Sequence, residues 1–189
     1  MPEKFKNKYK IESVRLKDYD YSQNGIYFLT ICTKNREEYF GSIVNKEMIL
    51  NEMGKIAENF WKEIPNHFSN MRLDEFVVMP NHVHGIIEIL CDKHARRDEA
   101  MPRLYNGAYP KMSKISPMPG SLSVILGSYK SIITKTIRKK IPYIFFAWQS
   151  RYYDRIIRNE IELNRIREYI FNNPAKWEED RNNPENLFM

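Results

Sequence analysis

Runs of apolar and β-branched residues along the chain predict short β-strands. The first run covers residues 26–34 (IYFLTICTK), and the second and third are RLDEFVVM and HVHGIIEIL. Such residues suit the half-buried surface of a sheet. Because only Pro80 and Asn81 separate the second and third runs, we expect these two strands to pair as a hairpin. Two later runs, IPYIFFAWQ and RYYDRIIR, each predict a further short strand.

Apolar residues at three- and four-residue steps predict three helices. The first prediction is a helix capped by Asn45 that runs through residues 46–64, with Pro65 ending it. The second is a helix capped by Ser121 through residues 121–140. Its expected buried stripe consists of Leu122, Ile125, Leu126, Tyr129, Ile133 and Ile137. The third covers about residues 159–173 and ends at Pro174.

The order of the predicted elements indicates one α+β domain over residues 1–189. Strands and helices alternate so that an antiparallel sheet with helices on one or both faces is expected. Residues 91–120 contain four prolines and predict a long loop. Together with the following helix, this loop forms a predicted basic loop–helix insertion at about 91–140. The polar tail at about 178–189 is predicted to be frayed.

The composition fits an ordinary globular protein rather than a membrane or disulfide-rich one. Hydrophobic residues make up 42% of the chain, yet no apolar run is long enough to cross a bilayer. The first residues, MPEKFKNKYK, lack the apolar centre of a signal peptide. With only Cys32 and Cys91, no disulfide framework can form. We therefore expect a cytoplasmic protein without a membrane partner.

One region of the chain carries the basic excess. The net charge is +6, and no Asp or Glu occurs between Ala100 and Tyr153, where nine residues are basic. A surface of one charge sign attracts polyanions, of which nucleic acid is the commonest. The alternative is a solvated basic face without a partner.

Two histidines in the strand HVHGIIEIL are candidates for a metal site. Because side chains alternate along a strand, His82 and His84 point to the same face. Two neutral imidazoles suit a borderline divalent cation. One alternative is a purely structural pair of hydrogen-bonding histidines. Another is a structural zinc site that also uses Cys91 and His94.

The last predicted helix offers candidates for a third ligand and a nucleophile. Tyr169 and Asn173 are four residues apart and so share one helix face. The Asn173 carbonyl oxygen can bind a metal, and the Tyr169 hydroxyl can attack a phosphodiester that a cation polarises. Tyr152 and Tyr153 are rival tyrosines. Packing against the sheet is the alternative role for Tyr169.

These segments resemble the HUH single-tyrosine nucleases, and more narrowly the REP-associated tyrosine transposases. The central match is the triplet His82-Val83-His84 inside DEFVVMPNHVHGIIEI. The other matching segments are YFLTICTKNR, GSLSVILGSYKS and AWQSRYYDRIIRNEIELNRIREYIFNNP. Together they cover most of residues 25–177.

The resemblance implies a ferredoxin-like antiparallel sheet flanked by helices. It also implies that His82 and His84 bind Mg²⁺ or Mn²⁺, that Tyr169 is the nucleophile, and that Asn173 completes the metal site. Family members cut beside hairpins in single-stranded DNA, hold one strand as a 5′-phosphotyrosine and release a 3′-hydroxyl. In some members the tyrosine comes from a partner subunit, so the resemblance leaves a homodimer open.

The resemblance therefore implies that DNA is the partner and that the protein is associated with the nucleoid. We expect the acid-free stretch to follow the DNA backbone. The predicted DNA-binding residues are Lys130, Lys135, Arg138, Lys139, Lys140 and Arg151.

Three other functions compete with DNA cleavage. The first is a domesticated protein that binds hairpin DNA without cutting it, for which the histidines and Tyr169 would be unnecessary. The second is a metal-independent phosphoesterase, which needs two HxT/S-type motifs where this chain has one HxH. The third is a zinc-stabilised structural domain.

Overall fold

The computed structural model of the protein describes residues 23–90, 120–184 and 186. The strands are β1 Gly25–Cys32, β2 Gly41–Val44, β3 Glu47–Leu50, β4 Met71–Val78, β5 His82–Ile89 and β6 Tyr153–Ile157. The helices are α1 Glu52–Lys62, α2 Ile64–His67, α3 Leu122–Lys140 and α4 Glu160–Asn172. Short 3-10 helices cover Lys34–Arg36 and Pro174–Glu179.

The main sheet has the ferredoxin-like order. Four strands lie in the order β4-β5-β1-β6, and every neighbouring pair is antiparallel. Along the chain these strands alternate with α1 and α3 in the β-α-β-β-α-β sequence of that fold. The separate hairpin β2-β3 is inserted before α1. The predicted α+β sheet flanked by helices is therefore confirmed.

Alternating side chains of the sheet form two cores, one on each face. On one face, Tyr27, Leu29 and Ile31 of β1 join the apolar residues of α1 and α3. On the other face, Phe28 and Ile86 pack with a smaller cluster that contains residues of α4. Helix α4 therefore covers the face opposite to α3. This second face is also the one to which His82 and His84 point.

Gly85 allows a close approach between β5 and α1. A Cβ atom at this position would lie 2.2 Å from Cζ2 of the buried Trp61. Because Gly85 has no side chain, the Trp61 ring can pack against the strand on the face opposite to the histidines.

The predicted helix over residues 46–64 is wrong in its first part. Residues 47–50 form β3, and Asn45 and Lys46 adopt positive φ angles of 51° and 67° in the turn before it. Two consecutive left-handed residues make the tight turn of a β-hairpin. The true N-cap is Asn51, whose side chain accepts a hydrogen bond from the Gly54 amide.

The other predicted elements have mixed outcomes. The hairpin β4-β5, the strand β6 and the third helix are confirmed, and the expected stripe of α3 is buried. Ser121 stands at the N-cap of α3 without a side-chain capping bond. The segment IPYIFFAWQ is no strand, since its only pairing within the described residues is the isolated bridge between Trp148 and Thr33. Two of its aromatic rings, those of Phe146 and Trp148, pack on Phe40 instead.

The C-terminal segment that was predicted to fray is packed where the structure describes it. Asp180, Asn182 and Asn183 are buried, and Asn81 donates a hydrogen bond to the Asn182 carbonyl at 2.9 Å. Residues 91–119 of the predicted loop–helix insertion lie outside the described residues. Residues 122–140 form α3, whose apolar stripe belongs to the main core.

Candidate functional site

His82 and His84 lie side by side under α4. Both side chains are fully buried, and their ring centroids are 4.3 Å apart. Their position follows from the alternation along β5, which turns even-numbered residues toward α4. The predicted pairing on one face is therefore observed in the geometry.

Hydrogen bonds on the far side of each ring fix the orientation of the two imidazoles. Asn81 Oδ1 lies 2.8 Å from His82 Nδ1 and can only accept, so Nδ1 donates and Nε2 keeps its lone pair. His84 Nδ1 contacts the Thr30 hydroxyl at 2.9 Å. Within the described residues, His82 Nε2 is buried without a partner. Such outer contacts are typical of histidines that are held ready for a metal.

Asp180 is the third member of the site, and the sequence analysis missed it. One nitrogen of His82, one of His84 and one carboxylate oxygen of Asp180 all lie within 4.8 Å of one another. All three side chains are buried. Nothing in the polar stretch WEEDRNNP distinguishes this acid from its neighbours. The segment brings it under the sheet because Asn81 donates to the Asn182 carbonyl.

Asn173 lies beside this group and holds Asp180 in place. Its Nδ2 donates to Asp180 Oδ2 at 2.9 Å. Its Oδ1 is buried and has no partner among the residues that the structure describes. The amide therefore supports the acid. Its role as a metal ligand stays a prediction.

The Tyr169 hydroxyl reaches the histidine pair of its own chain. It lies 3.1 Å from His84 Nε2 and 3.4 Å from Asp180 Oδ2. The ring packs edge-on against Phe28, with centroids 5.9 Å apart, and 40% of the residue is exposed. Tyr169 is thus the solvent-exposed neighbour of the buried group of His82, His84 and Asp180. A substrate that touches the hydroxyl would not need to enter the core.

Burial keeps the histidines neutral and the phenol protonated. Burial lowers the pKa of His82 well below its usual value and lowers the pKa of His84 to about 4. Burial, followed by the charge of Asp180, raises the pKa of Tyr169 to about 12, while Arg181 opposes this rise. Neutral imidazoles are the form that binds metals. The phenol needs a base before it can attack.

The rival tyrosines lie away from the histidines. The Tyr152 hydroxyl contacts Ser123 on α3 at 3.4 Å, across the opposite face of the sheet. Tyr153 lies on the α4 face and packs edge-on against Phe28 at 6.4 Å. Tyr169, whose hydroxyl contacts His84, is thus the tyrosine that the fold brings to the pair.

The predicted DNA-binding residues are not part of this site. Lys130, Lys135 and Arg138 line a separate cleft of about 530 Å³ along α3, together with Trp148. Lys130 also donates to the carbonyls of Gln149 and Ser150, so it anchors the chain before β6. Lys140 forms an ion pair with Glu52 at 3.6 Å. Lys139 and Arg151 are exposed, and a role in DNA binding remains a prediction for all six residues.

The residues present fit a divalent metal ion. Two imidazole nitrogens and a carboxylate oxygen converge, and one of those nitrogens is buried with no partner in the described part of the chain. Three protein ligands leave positions open for a substrate. Cys91 and His94 of the alternative zinc site lie outside the described residues.

The helices of the described residues give no sign of a membrane segment. None of them combines the length and the apolar character that crossing a bilayer requires.

Comparisons with known proteins place the chain in a family. No family model matches it. An uncharacterized protein of Haemophilus influenzae (strain ATCC 51907 / DSM 11121 / KW20 / Rd) is 42% identical over 169 residues, which are 89% of this chain and 91% of that protein. A solved REP-associated tyrosine transposase, bound to a REP hairpin, superposes with a TM-score of 0.54 at 16% identity, covering 88% of this chain and 74% of that chain. The chain therefore belongs to one family with the Haemophilus influenzae protein, and its fold is the HUH-type fold of the REP-associated tyrosine transposases.

Proposed function

We propose that the protein is a metal-dependent enzyme that cuts and rejoins single-stranded DNA beside hairpins, through a 5′-phosphotyrosine on Tyr169. The observation that carries this proposal is the 3.1 Å contact between the Tyr169 hydroxyl and His84 inside the buried group of His82, His84 and Asp180. Binding DNA alone would not require this group. The solved transposase of the same fold is bound to a REP hairpin, which supports hairpin DNA as the substrate class.

The histidines and Asp180 would hold the metal ion. Two imidazoles and one carboxylate suit Mn²⁺, while Mg²⁺ prefers oxygen ligands and would draw more on Asp180 and water. When bound, either ion would withdraw charge from a phosphodiester oxygen and so stabilise the transition state. The partnerless oxygen of Asn173 is available as a further ligand.

Tyr169 would supply the nucleophile and Asp180 the base. Asp180 Oδ2 lies 3.4 Å from the hydroxyl and can accept its proton. The bond from the Tyr169 oxygen to phosphorus forms as the bond from phosphorus to the 3′ oxygen breaks. The leaving oxygen takes a proton from water, and Asp180 returns its own to solvent. A later 3′-hydroxyl reverses these steps, so rejoining consumes no ATP.

One copy of the chain would complete this site by itself. The contact between Tyr169 and His84 is made within one chain, which supports cleavage in cis. A homodimer is then unnecessary for the chemistry. Acting on DNA would place the protein in the cytoplasm, at the nucleoid.

The test uses a pool of single-stranded oligonucleotides that carry a stable hairpin flanked by randomised bases. With Mn²⁺, the protein should form a covalent adduct that survives denaturant, and sequencing the adducts identifies the cleavage point. Tyr169→Phe should abolish the adduct and leave hairpin binding within about twofold, since only the nucleophilic oxygen is lost. Tyr152→Phe, on the opposite face of the sheet, is the matched control that keeps the adduct.

Metal binding provides an independent readout of the same site. Asp180→Asn should weaken Mn²⁺ binding at least about tenfold, because a charged ligand is replaced by an amide. Glu179→Gln, which alters the adjacent carboxylate, should have no such effect. An adduct in Tyr169→Phe would refute the nucleophile. If the wild type and all variants bind the hairpin but none forms an adduct, the protein binds hairpin DNA without cutting it.

A further inference from the structure

A cavity opens beside Tyr169, and most of the residues that line it have no part in the chemistry proposed above. Its volume is about 550 Å³, within the range of small-molecule sites. Phe28, Tyr153 and Tyr169 form its aromatic wall. Phe28 and Tyr153 meet edge to face at 6.4 Å, and Phe28 meets Tyr169 in the same way at 5.9 Å. Flat ligands can stack on such a wall.

Basic side chains surround the mouth of this cavity. Arg155, Lys176 and Arg181 line it, and Glu179 and Asp180 are the acids among the lining residues. Arg155 is paired with Glu162 at 2.6 Å, and Asp180 faces the histidines. The remaining charged residues of the lining are two basic ones, Lys176 and Arg181, and one acidic one, Glu179. The balance at the mouth therefore favours an anion.

Arg181 already shows how a planar group sits on this wall. Its guanidinium carbon lies 5.5 Å from the centre of the Tyr153 ring. A guanidinium is planar and weakly hydrated, and it binds both aromatic faces and phosphate. A nucleobase that stacks on Tyr153 would take the place of this guanidinium, which could then turn toward the phosphate.

We propose that this cavity binds the base and sugar of the nucleotide whose 5′-phosphate is transferred to Tyr169. This inference rests on the proposed function. The phosphate would be esterified at the Tyr169 oxygen, and Tyr169 borders the cavity, so the attached nucleoside falls inside it. Tyr153 supplies the stacking surface, and Arg181 supplies the positive charge beside the phosphate. Both are positioning residues in this scheme.

A nucleoside explains the combination of features better than other ligands. An apolar ligand would gain nothing from Lys176 and Arg181, and a bare phosphate would not need three aromatic rings. Base–aromatic stacking tolerates every base, since each has a π-face. The cavity is therefore expected to bind all four nucleotides with modest preferences.

The first experiment needs no cleavage. Isotope-labelled protein is titrated with the four deoxynucleoside 5′-monophosphates and with 2-deoxyribose 5-phosphate, and chemical shifts are followed by NMR. Each nucleotide should bind about tenfold more tightly than the sugar phosphate, because only the nucleotides stack. Tyr153→Ala should remove that difference, and Arg181→Ala should weaken binding of all five ligands.

The control for this titration is Tyr143→Ala, which removes an exposed tyrosine that does not line the cavity. Its affinities should match the wild type. Equal binding of nucleotides and sugar phosphate by the wild type would overturn the inference, as would an unchanged preference in Tyr153→Ala. If Tyr153→Ala fails to fold, Tyr153→Leu, which keeps apolar volume without a π-face, replaces it.

The second experiment separates this inference from the proposed function. Oligonucleotides with an abasic site immediately 3′ of the cleavage point should form the adduct about tenfold more slowly, and one with the abasic site 5′ of it should react normally. In Tyr153→Ala the first penalty should vanish. If nucleotides bind as expected but no protein forms an adduct, the cleavage proposal fails and the nucleotide site stands. If the adduct forms and the abasic site causes no penalty, the cleavage proposal stands and the nucleotide site is refuted.

Discussion

At the scale of single residues, the site is organised by groups that touch no substrate. Asn81 fixes which nitrogen of His82 faces inward, and Thr30 contacts the outer nitrogen of His84. Thr30 lies directly opposite His84 in the sheet, and Asn81 directly precedes His82 in the chain. The imidazoles are therefore pre-oriented before any ligand arrives.

The two buried histidines make the stability of the metal-free protein dependent on pH. Above pH 6.5 they are neutral in the folded and unfolded chains alike. Below it the unfolded chain binds protons while the folded one does not, since burial lowers the pKa of His84 to about 4 and that of His82 well below normal. The free energy of unfolding should therefore fall as the pH drops from about 6.5 to about 4, by about 1.4 kcal/mol per unit for each histidine.

Urea denaturation in EDTA across this pH range measures the effect. His84→Gln should reduce the slope, because one titrating group is removed. His67→Gln, which alters an exposed histidine in α2, should leave the slope unchanged. A wild-type stability that does not change between pH 6.5 and 4.5 would contradict the burial argument.

Sequence could predict some of these residues and not others. The alternation of β5 placed His82 and His84 on one face, and the four-residue spacing placed Tyr169 beside Asn173. Asp180 carried no such signal, since it belongs to an irregular segment without periodicity. Its position depends on a side-chain bond from Asn81 to the Asn182 carbonyl, a tertiary contact that no local pattern encodes.

At the scale of elements, ion pairs attach α4 to both edges of the sheet: Arg167 pairs with Asp74 of β4, and Glu162 pairs with Arg155 of β6. Arg167 donates Nε to Asp74 Oδ1 at 2.9 Å and Nη2 to Asp74 Oδ2 at 2.6 Å. This two-bonded geometry is the strong form of such a pair and lowers the pKa of Asp74, first through the Arg167 hydrogen bond. Asp74 lies at the register shift between Leu73 and Phe76 of β4. The helix that carries Tyr169 is thereby fixed to one edge of the sheet.

Loss of the Arg167–Asp74 pair should have a small effect on the stability of the protein and a larger effect on the position of α4. Arg167→Gln is expected to lower the free energy of unfolding by about 1 kcal/mol, because both partners are partly solvated. The rate of adduct formation should fall about tenfold, since small misplacement of a nucleophile is costly. Chemical denaturation and adduct kinetics measure the two effects.

Arg165→Gln is the matched control, because Arg165 is exposed on the same helix. A double-mutant cycle with Asp74→Asn isolates the pair. Additive effects of the two substitutions would show that the ion pair does not act as a unit.

The elements that sequence misplaced share a physical cause. Residues 47–50 have a helical pattern of apolar residues, yet they pair with β2 because Asn45 and Lys46 form a tight turn. IPYIFFAWQ has the composition of a strand, but its Phe146 and Trp148 rings pack on Phe40. In both cases tertiary contacts overrode local propensity. The predicted helix over residues 46–64 places Asn51 in its interior, whereas this residue is the N-cap of α1.

At the scale of the whole molecule, the basic helix α3 and the Tyr169 site lie on opposite faces of the sheet. Helix α3, with its basic side chains, packs on the face of the sheet that α4 does not cover. A DNA strand that reaches Tyr169 and also touches α3 must pass around an edge of the sheet. The order of elements predicted an antiparallel sheet with helices, and the family resemblance implied its ferredoxin-like form, but neither predicted which face α4 would take.

Salt dependence tests whether α3 contacts DNA. Lys135→Gln combined with Arg138→Gln should weaken hairpin binding and reduce the slope of log K against log salt by about 1.4, as expected for two phosphate contacts on a single strand. Fluorescence anisotropy at several salt concentrations gives the slope. Lys46→Gln with Lys55→Gln, two exposed lysines outside the acid-free stretch, is the control. An unchanged slope would show that these two α3 residues make no phosphate contacts.

The distance along the chain between the histidines and their partners has a consequence for synthesis. Tyr169 follows His84 by 85 residues, and Asp180 comes later still. A ribosome therefore exposes the imidazole pair long before it has made the phenol and the carboxylate. A nascent chain, or one truncated before residue 180, therefore lacks at least the Asp180 carboxylate of the site.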